Sequence, residues 1–260
     1  MKMMSLRLWL AVVVFATGGI SGSAGEKEQP RQWVQAGGLA APEARQAAAA
    51  DGSFVYAIDN RVIARYDRST GKRLAVSSGA AHHLNSGLIL QGKLYAAHSN
   101  FPAKPEKSEI KVLDLQTMKL TDFKSFGESP HGSLTVVLWH ESAWWCVFAR
   151  YGAENHQTVL VQFDSDWNEQ GVWTFPESVI SDLGKASISG GVWRGEELLM
   201  TGHDKPVLYR LQLPQEGRTL LHKATVPSPF PGQGIADDPQ TGGLVGIDRK
   251  ERRVIFAQPE

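Results

Sequence analysis

Histidines and carboxylates recur at two positions of this 260-residue chain. Five of its eight histidines fall there: His82, His83 and His131 precede one type of apolar run, while His98 and His203 end another. Asp59, Arg150 and Asp248 occupy places equivalent to His98 and His203, and Asn85, Ser189 and Gln233 accompany the first group. Neutral imidazoles beside carboxylates suit a divalent metal such as Zn, Mn or Ni, with one position left for water. Such a metal acidifies its water and polarises a carbonyl. Without a metal, the same imidazoles could serve as general bases oriented by a carboxylate. The expectation is therefore His98, His203 and His131 for catalysis, with His98 and His203 as ligands if a metal is held. His82, His83, Asn85, Arg150, Ser189, Gln233, Asp59 and Asp248 would bind a small polar ligand, and Arg150 suits an anionic one through a bidentate grip. A single histidine at a strand end usually bonds only a loop carbonyl, so the reading rests on the cluster. No His-x-His or His-Glu-x-x-His spacing occurs, so a metal would have to be assembled by the fold.

The elements that position these residues repeat. Arg61 to Asp67, Ile110 to Asp114, Thr158 to Asp164 and Pro206 to Leu211 are alternating runs, each leading into a polar turn. The turn aspartates Asp67, Asp114 and Asp164 lie 47 and 50 residues apart. In the first two copies the turn reads Asp-x-x-Thr-x-Lys, where the carboxylate bonds a backbone N–H two residues on, a structural role. Before each run lies another, such as Phe54 to Ile58, Leu94 to Ala97, Trp144 to Phe148, Leu198 to Thr201 and Leu244 to Ile247, and before most of these a Gly-containing hairpin signal. Pro42 to Ala50 reads as a loop into a small-residue inner strand. A period of 40 to 50 residues with four short strands per copy indicates a β-propeller blade. About five copies fill the mature chain. The predicted blades are residues 43–80, 81–127, 128–178, 185–226 and 230–260. The last copy lacks a fourth strand, and Arg31 to Ala36 is a spare strand at the other end. The expected fold is all-β, a five-bladed propeller whose last blade is closed by the N-terminal strand of the mature chain. A six-bladed ring with one degenerate blade and an open sandwich are the alternatives. In such a ring the first strands begin, and the second strands end, on one face, so the residues above share a channel mouth, the default ligand site.

The N-terminus has the order of an export signal: Lys2 and Arg7, an apolar stretch from Leu8 to Ile20, then small residues to Gly25. Residues 1–24 are read as that signal and residues 25–260 as the propeller, located in the periplasm or secreted, and off the membrane after cleavage. Removing Lys2 and Arg7 from a balance of 27 cations and 27 anions leaves a net charge of −2, which disfavours nucleic acid as a partner. A monomer is expected. The single cysteine, Cys146, lies in an apolar run and excludes an internal disulfide framework.

The segments HHLNSGLILQGKLYAAHSN, GVWRGEELLMTGHD and GQGIADD, with turns such as DRSTGK, resemble exported bacterial propellers of the PQQ-like or YVTN-repeat kind. These include proteins loosely labelled cycloisomerase. The resemblance covers most of the mature chain and implies a quinoprotein-like or WD40-like fold. It implies no PQQ, because the eight-blade length and the disulfide are missing. It also departs from gluconolactonase-like propellers, whose calcium-binding set has no counterpart here. What it implies for chemistry is hydrolase, lyase or lactonase/cycloisomerase action on a small oxygenated acid, lactone or sugar derivative; the alternative is a non-catalytic binding or protein-interaction propeller.

If the closing strand is real, deleting Gln32 to Ala36 from the mature protein should expose a sheet edge and sharply lower the thermal midpoint. An unchanged midpoint would contradict the five-blade register.

Overall fold

The computed structural model describes residues 32–260 and shows an all-β, five-bladed propeller. The expected export signal, residues 1–24, lies outside the described residues, as does Arg31. Blade one is built from Ala47–Ala50, Phe54–Ile58, Ile63–Asp67 and Arg73–Val76. Blade two has His83–Leu90, Lys93–Ser99, Ser108–Asp114 and Lys119–Gly127; blade three has Ser133–His140, Ala143–Ala149, Val159–Phe163 and Glu169–Thr174. Blade four has Gly190–Arg194, Glu197–Thr201, Val207–Gln212 and Leu221–Pro227. Blade five takes Ala236–Asp238, Gly243–Asp248 and Arg253–Pro259 from the C-terminus and Trp33–Ala40 from the N-terminal side. Strands within each blade pair antiparallel, in sequence order from the axis outward except for the outermost strand of blade five, so short hairpins connect nearly all neighbours.

The closing strand runs longer than Arg31 to Ala36. It pairs from Trp33 opposite Pro259 to Ala40 opposite Arg253, with a bulge between Gln35 and Gly37. Gly38 is required by this approach: a Cβ there would lie 2.5 Å from the Val254 carbonyl oxygen. The seam is tied again where the Arg68 guanidinium of blade one holds the Asp238 carboxylate of blade five bidentately, at 2.7 and 2.5 Å. Asp238 is buried, and Arg68 stacks on Phe256.

The core lies in wedges between adjacent blades. One cluster spans blades five, one and two, around Tyr56, Ile58, Leu84 and Ile247. Others join blades two and three around Phe148, and blades four and five around Trp33 and Phe230. Cys146 lies fully buried in the second of these, and burial pushes its thiol far above the usual range, so it is an inert packing group. Between blades three and four the alternation breaks. Glu177–Leu183 forms a short α-helix between Pro176 and Gly184, burying Val179, Ile180 and Leu183. The stretch is too short to show a helical period against the flanking strands. No helix among the described residues is long and apolar enough to cross a membrane.

The turn aspartates do what their spacing implies. Asp67 Oδ1 accepts the N–H groups of Ser69 and Thr70, and Asp114 Oδ1 accepts those of Gln116 and Thr117. Asp164 and Asp248 accept the N–H groups two residues on in the same way. With hydroxyl and amide donors pointed at it, the Asp67 carboxyl is lowered to about 2.

At the axis the first strands crowd. Ala47 to Ala50 are all buried, and Ala47 bridges Gly234 of blade five. A Cβ on Gly190 would lie 2.5 Å from the Gln233 carbonyl oxygen and 2.6 Å from Thr201 Oγ1. Gly190→Ala should therefore cost about 1–3 kcal/mol by overpacking. Gly52→Ala, with nothing within 4 Å of its Cβ, should fall within about 0.5 kcal/mol of the parent in denaturant melts. Equal effects at the two sites would contradict the crowding.

Candidate functional site

Second-strand ends place Asp59, His98, Arg150, His203 and Asp248 on the same face as the first-strand starts, as the register requires. Their side chains then diverge. His98 is buried in blade two, opposite Glu109 on the next strand. The backbone N–H of His82 donates to His98 Nε2 at 3.0 Å. That nitrogen is therefore an acceptor, and in the neutral ring the proton sits on Nδ1. Nδ1 faces Glu109 Oε2 at 3.3 Å, without an aligned hydrogen bond. Glu109 is shared with Lys111, which lies 3.2 Å away and also pairs with Asp122. Burial, then the Lys111 charge, depresses His98 well below the usual histidine range. Burial opposes the Lys111 charge, but Asp122 and Glu109 outweigh it and hold the ammonium above its usual value.

His203 has both ring nitrogens engaged. Arg249 Nη1 donates to Nε2 at 2.9 Å, which puts the neutral ring's proton on Nδ1, facing Asp204 Oδ2 at 2.6 Å. Gln233, at φ 72° and buried, donates from Nε2 to the His203 carbonyl, fixing the loop that carries the ring. His83 differs from both: among the described residues its ring nitrogens make no hydrogen bond. Burial, followed by the charges of Arg249 and His203, lowers it. His83, His203 and Arg249 belong to blades two, four and five, and blades four and five are not ring neighbours of blade two. The charges of Arg249 and His203 thus act on His83 from blades that are not its neighbours.

A loop between the second and third strands of blade two lies on that face and leans on blade three. Asn100 clamps it, accepting the Lys107 N–H at 2.7 Å and donating to the Pro105 carbonyl at 2.9 Å. Phe101 meets the His83 ring with centroids 5.4 Å apart and Tyr151 of blade three at 6.2 Å. Glu106 accepts the Ser133 hydroxyl of blade three. Lys104, at the loop's tip, lies 3.7 Å from Glu106.

The remaining predicted residues are held elsewhere. His131 Nε2 lies 3.0 Å from Glu169, on the outermost strand of its own blade. The Arg150 guanidinium donates to the Pro130 carbonyl at 2.7 Å. Asn85 is buried and donates to the Leu134 carbonyl, and the Ser189 hydroxyl bonds the Ser187 carbonyl. Asp59 lies 3.5 Å from Arg45, and Asp248 caps its own turn. Among the described residues no three His, Cys, Asp or Glu side chains are arranged to hold a metal ion. The expectation that His98 and His203 share one thus has no third ligand. Sequence reasoning passed over Arg249, Glu109, Phe101 and Tyr151. Glu109 could have been found from register, since it is the cross-strand partner of His98; Arg249 sits in a turn whose aspartate drew the attention.

No family model and no curated protein matches the chain. Solved structures do. Glutaminyl cyclase from Myxococcus xanthus superposes with a TM-score of 0.58 at 8% identity, over 88% of this chain and 97% of that one. A chain of a mitotic checkpoint complex gives 0.49 at 9% identity, covering 99% and 98%. Kuenenia stuttgartiensis hydrazine synthase gives 0.46 at 12%, covering 81% and 69%. The likeness to the cyclase is one of fold, and it makes this chain a distant structural relative of propeller proteins without assigning a family.

Because His98 is depressed below its value of 6.5 outside the fold, the unfolded chain binds the proton more readily. Its contribution is present above about pH 6.5 and is lost as the pH falls through that value toward the folded one. Thermal melts from pH 7 to pH 4.5 should show His98→Gln, which keeps an acceptor for His82, losing about 1–3 kcal/mol less stability than the parent. Parallel pH profiles would show that His98 carries no such burden.

Proposed function

We propose that this chain is an exported small-molecule-binding propeller whose histidine-bearing channel mouth takes a small carboxylate, a hydroxy acid or its lactone. The observation that carries this reading is the hydrogen bond that joins Arg249 of blade five to His203 of blade four on the face where His83 begins the first strand of blade two. Arg249 is a half-buried cation whose donors are only partly used by His203, and a guanidinium with donors to spare favours a carboxylate bidentately. His203, oriented by Asp204, holds Arg249 in place rather than meeting substrate. Phe101 and Tyr151 supply a cover against the ligand body.

On this reading any chemistry falls to His83, a partly buried imidazole whose ring nitrogens are unengaged and whose burial favours the neutral form. Hydrolysis of a lactone would have His83 take a proton from water as it attacks the carbonyl. The ring C–O bond then breaks, the released alkoxide recovers the proton from His83, the new carboxylic acid gives its own proton to solvent, and Arg249 keeps the carboxylate. The engagement of both ring nitrogens in His203, and of Nε2 in the buried His98, supports the second reading, a mouth that binds the acid without reacting. His98 serves either version by fixing the His82 backbone and hence the start of the strand that bears His83.

Calorimetric titration of the mature protein with small hydroxy acids and their lactones tests this. Arg249→Ala should weaken the best acid by about tenfold or more, the worth of one charge-assisted bidentate contact. Lys119→Ala, on an outer strand, should not. Acid release from the lactone, lost in His83→Gln while acid binding persists, would separate catalysis from binding. Acid affinity indifferent to Arg249 overturns the reading.

A further inference from the structure

The channel has a second mouth, where first strands end and second strands begin, on the face away from His83, His98 and His203. A cavity of about 390 Å³ lies there, and all five blades line it. That volume falls in the range of small-molecule sites and would hold about a dozen waters at ~30 Å³ each. Its walls are apolar: Ile89, Leu138, Trp139, Val192 and Ile235, over a floor of alanine and glycine. Such walls offer water few hydrogen bonds, so its displacement by an apolar body is favourable.

The charged groups at this mouth are few and acidic, and the imidazole of His140 lies among its aromatic walls. Asp51 and Asp237 are the charged residues lining it, and no Lys or Arg does. Asp51 accepts the Ser53 and Phe54 N–H groups through Oδ1 and the Tyr56 hydroxyl through Oδ2, so its orientation is fixed. Asp237 is held from behind by Arg194 at 2.8 Å. The aromatic side is equally fixed: the His140 ring stacks on Trp193 at 4.5 Å and 11°, and Trp145 meets Trp193 edge-on at 5.2 Å.

We propose that this cavity binds a small organic cation with a flat apolar body, a protonated aryl-alkylamine in class. The ring lies against Trp139 and Trp193, and the ammonium sits at the rim toward Asp51 and Asp237. An indole-sized body fills the walls, and the carboxylates with the indole faces favour a cation over an anion. The site is separate from the histidine mouth, so neither proposal rests on the other.

Isothermal titration of the mature protein with three isosteric probes tests this: tryptamine, tryptophol and indole-3-acetate. Tryptamine should bind saturably, tryptophol more weakly, and indole-3-acetate at least about tenfold more weakly than tryptamine. Ala50→Leu, which fills the cavity, should abolish tryptamine binding. Asp237→Asn, which keeps the shape, should bring tryptamine and tryptophol close together. Arg249→Ala should leave tryptamine binding unchanged. Indole-3-acetate binding as well as tryptamine, or no saturable binding of any probe, overturns the proposal. So does an Ala50→Leu protein of native circular dichroism and thermal midpoint that binds tryptamine as the parent does.

Discussion

Crowding of the five first strands around one axis constrains everything else in this molecule. At their closest the strands tolerate only hydrogen or methyl side chains: a Cβ on Gly234 would lie 2.4 Å from that of Ala47, and one on Gly87 would lie 2.5 Å from Ile58 Cδ1. The tetra-alanine of blade one and the Gly190-Gly191 pair of blade four answer the same need. Small residues at the axis leave no room for chemistry midway along the channel. They let hydroxyls and amides cross between blades instead: the Thr201 hydroxyl donates to the Gln233 carbonyl, and Val137 N–H donates to the Ser86 hydroxyl. The ring is thus pinned at the centre by short polar bonds and filled further out by apolar wedges.

Larger side chains reappear only where the strands splay, at the two mouths, and the mouths differ in character. One is edged by loops and turns, which carry Arg249, His203 and the aromatic cover. The other is edged by tight hairpins and keeps apolar strand ends exposed to a cavity, with carboxylates at the rim. Burial and neighbouring cations lower His83 and His98 and favour their neutral form, the state in which an imidazole accepts a proton or a hydrogen bond.

The fold was legible because it is written as a period. Asp67, Asp114 and Asp164 mark one turn repeatedly, and hairpin signals mark another, so blade count followed from spacing. The closing strand was legible from a missing fourth strand, although its extent to Ala40 was not, since Gly37 and Gly38 interrupt the strand-forming residues and the structure uses them beside a bulge and at a close approach. The mouth was half legible. Register alone put His98 and His203 on one face, but direction of a side chain depends on partners distant in sequence. Arg150 turned to Pro130 and His131 to Glu169, and no local pattern announces either. The opposite cavity was invisible for a different reason: Ile89, Trp139 and Val192 are core residues by any sequence criterion, and only the splay of the strands leaves space between them.

Closure and the histidine mouth are one problem in this chain. Arg249 sits in the turn between Gly243–Asp248 and Arg253–Pro259, and the Asp248 carboxylate shapes that turn. The outer edge of Arg253–Pro259 is covered by Trp33–Ala40. The chain leaving that strand continues the embrace: Ala41 N–H donates to the Arg252 carbonyl at 2.9 Å, and Arg252 donates back to the Pro42 carbonyl at 3.1 Å. The N-terminal strand therefore supports the turn that aims Arg249 at His203. A ring opened at this seam would keep four complete blades and most of its core, yet lose the relation between blades five, four and two on which the mouth depends. By mass action the converse holds: a ligand bound across those blades favours the closed ring over any state in which the seam has parted.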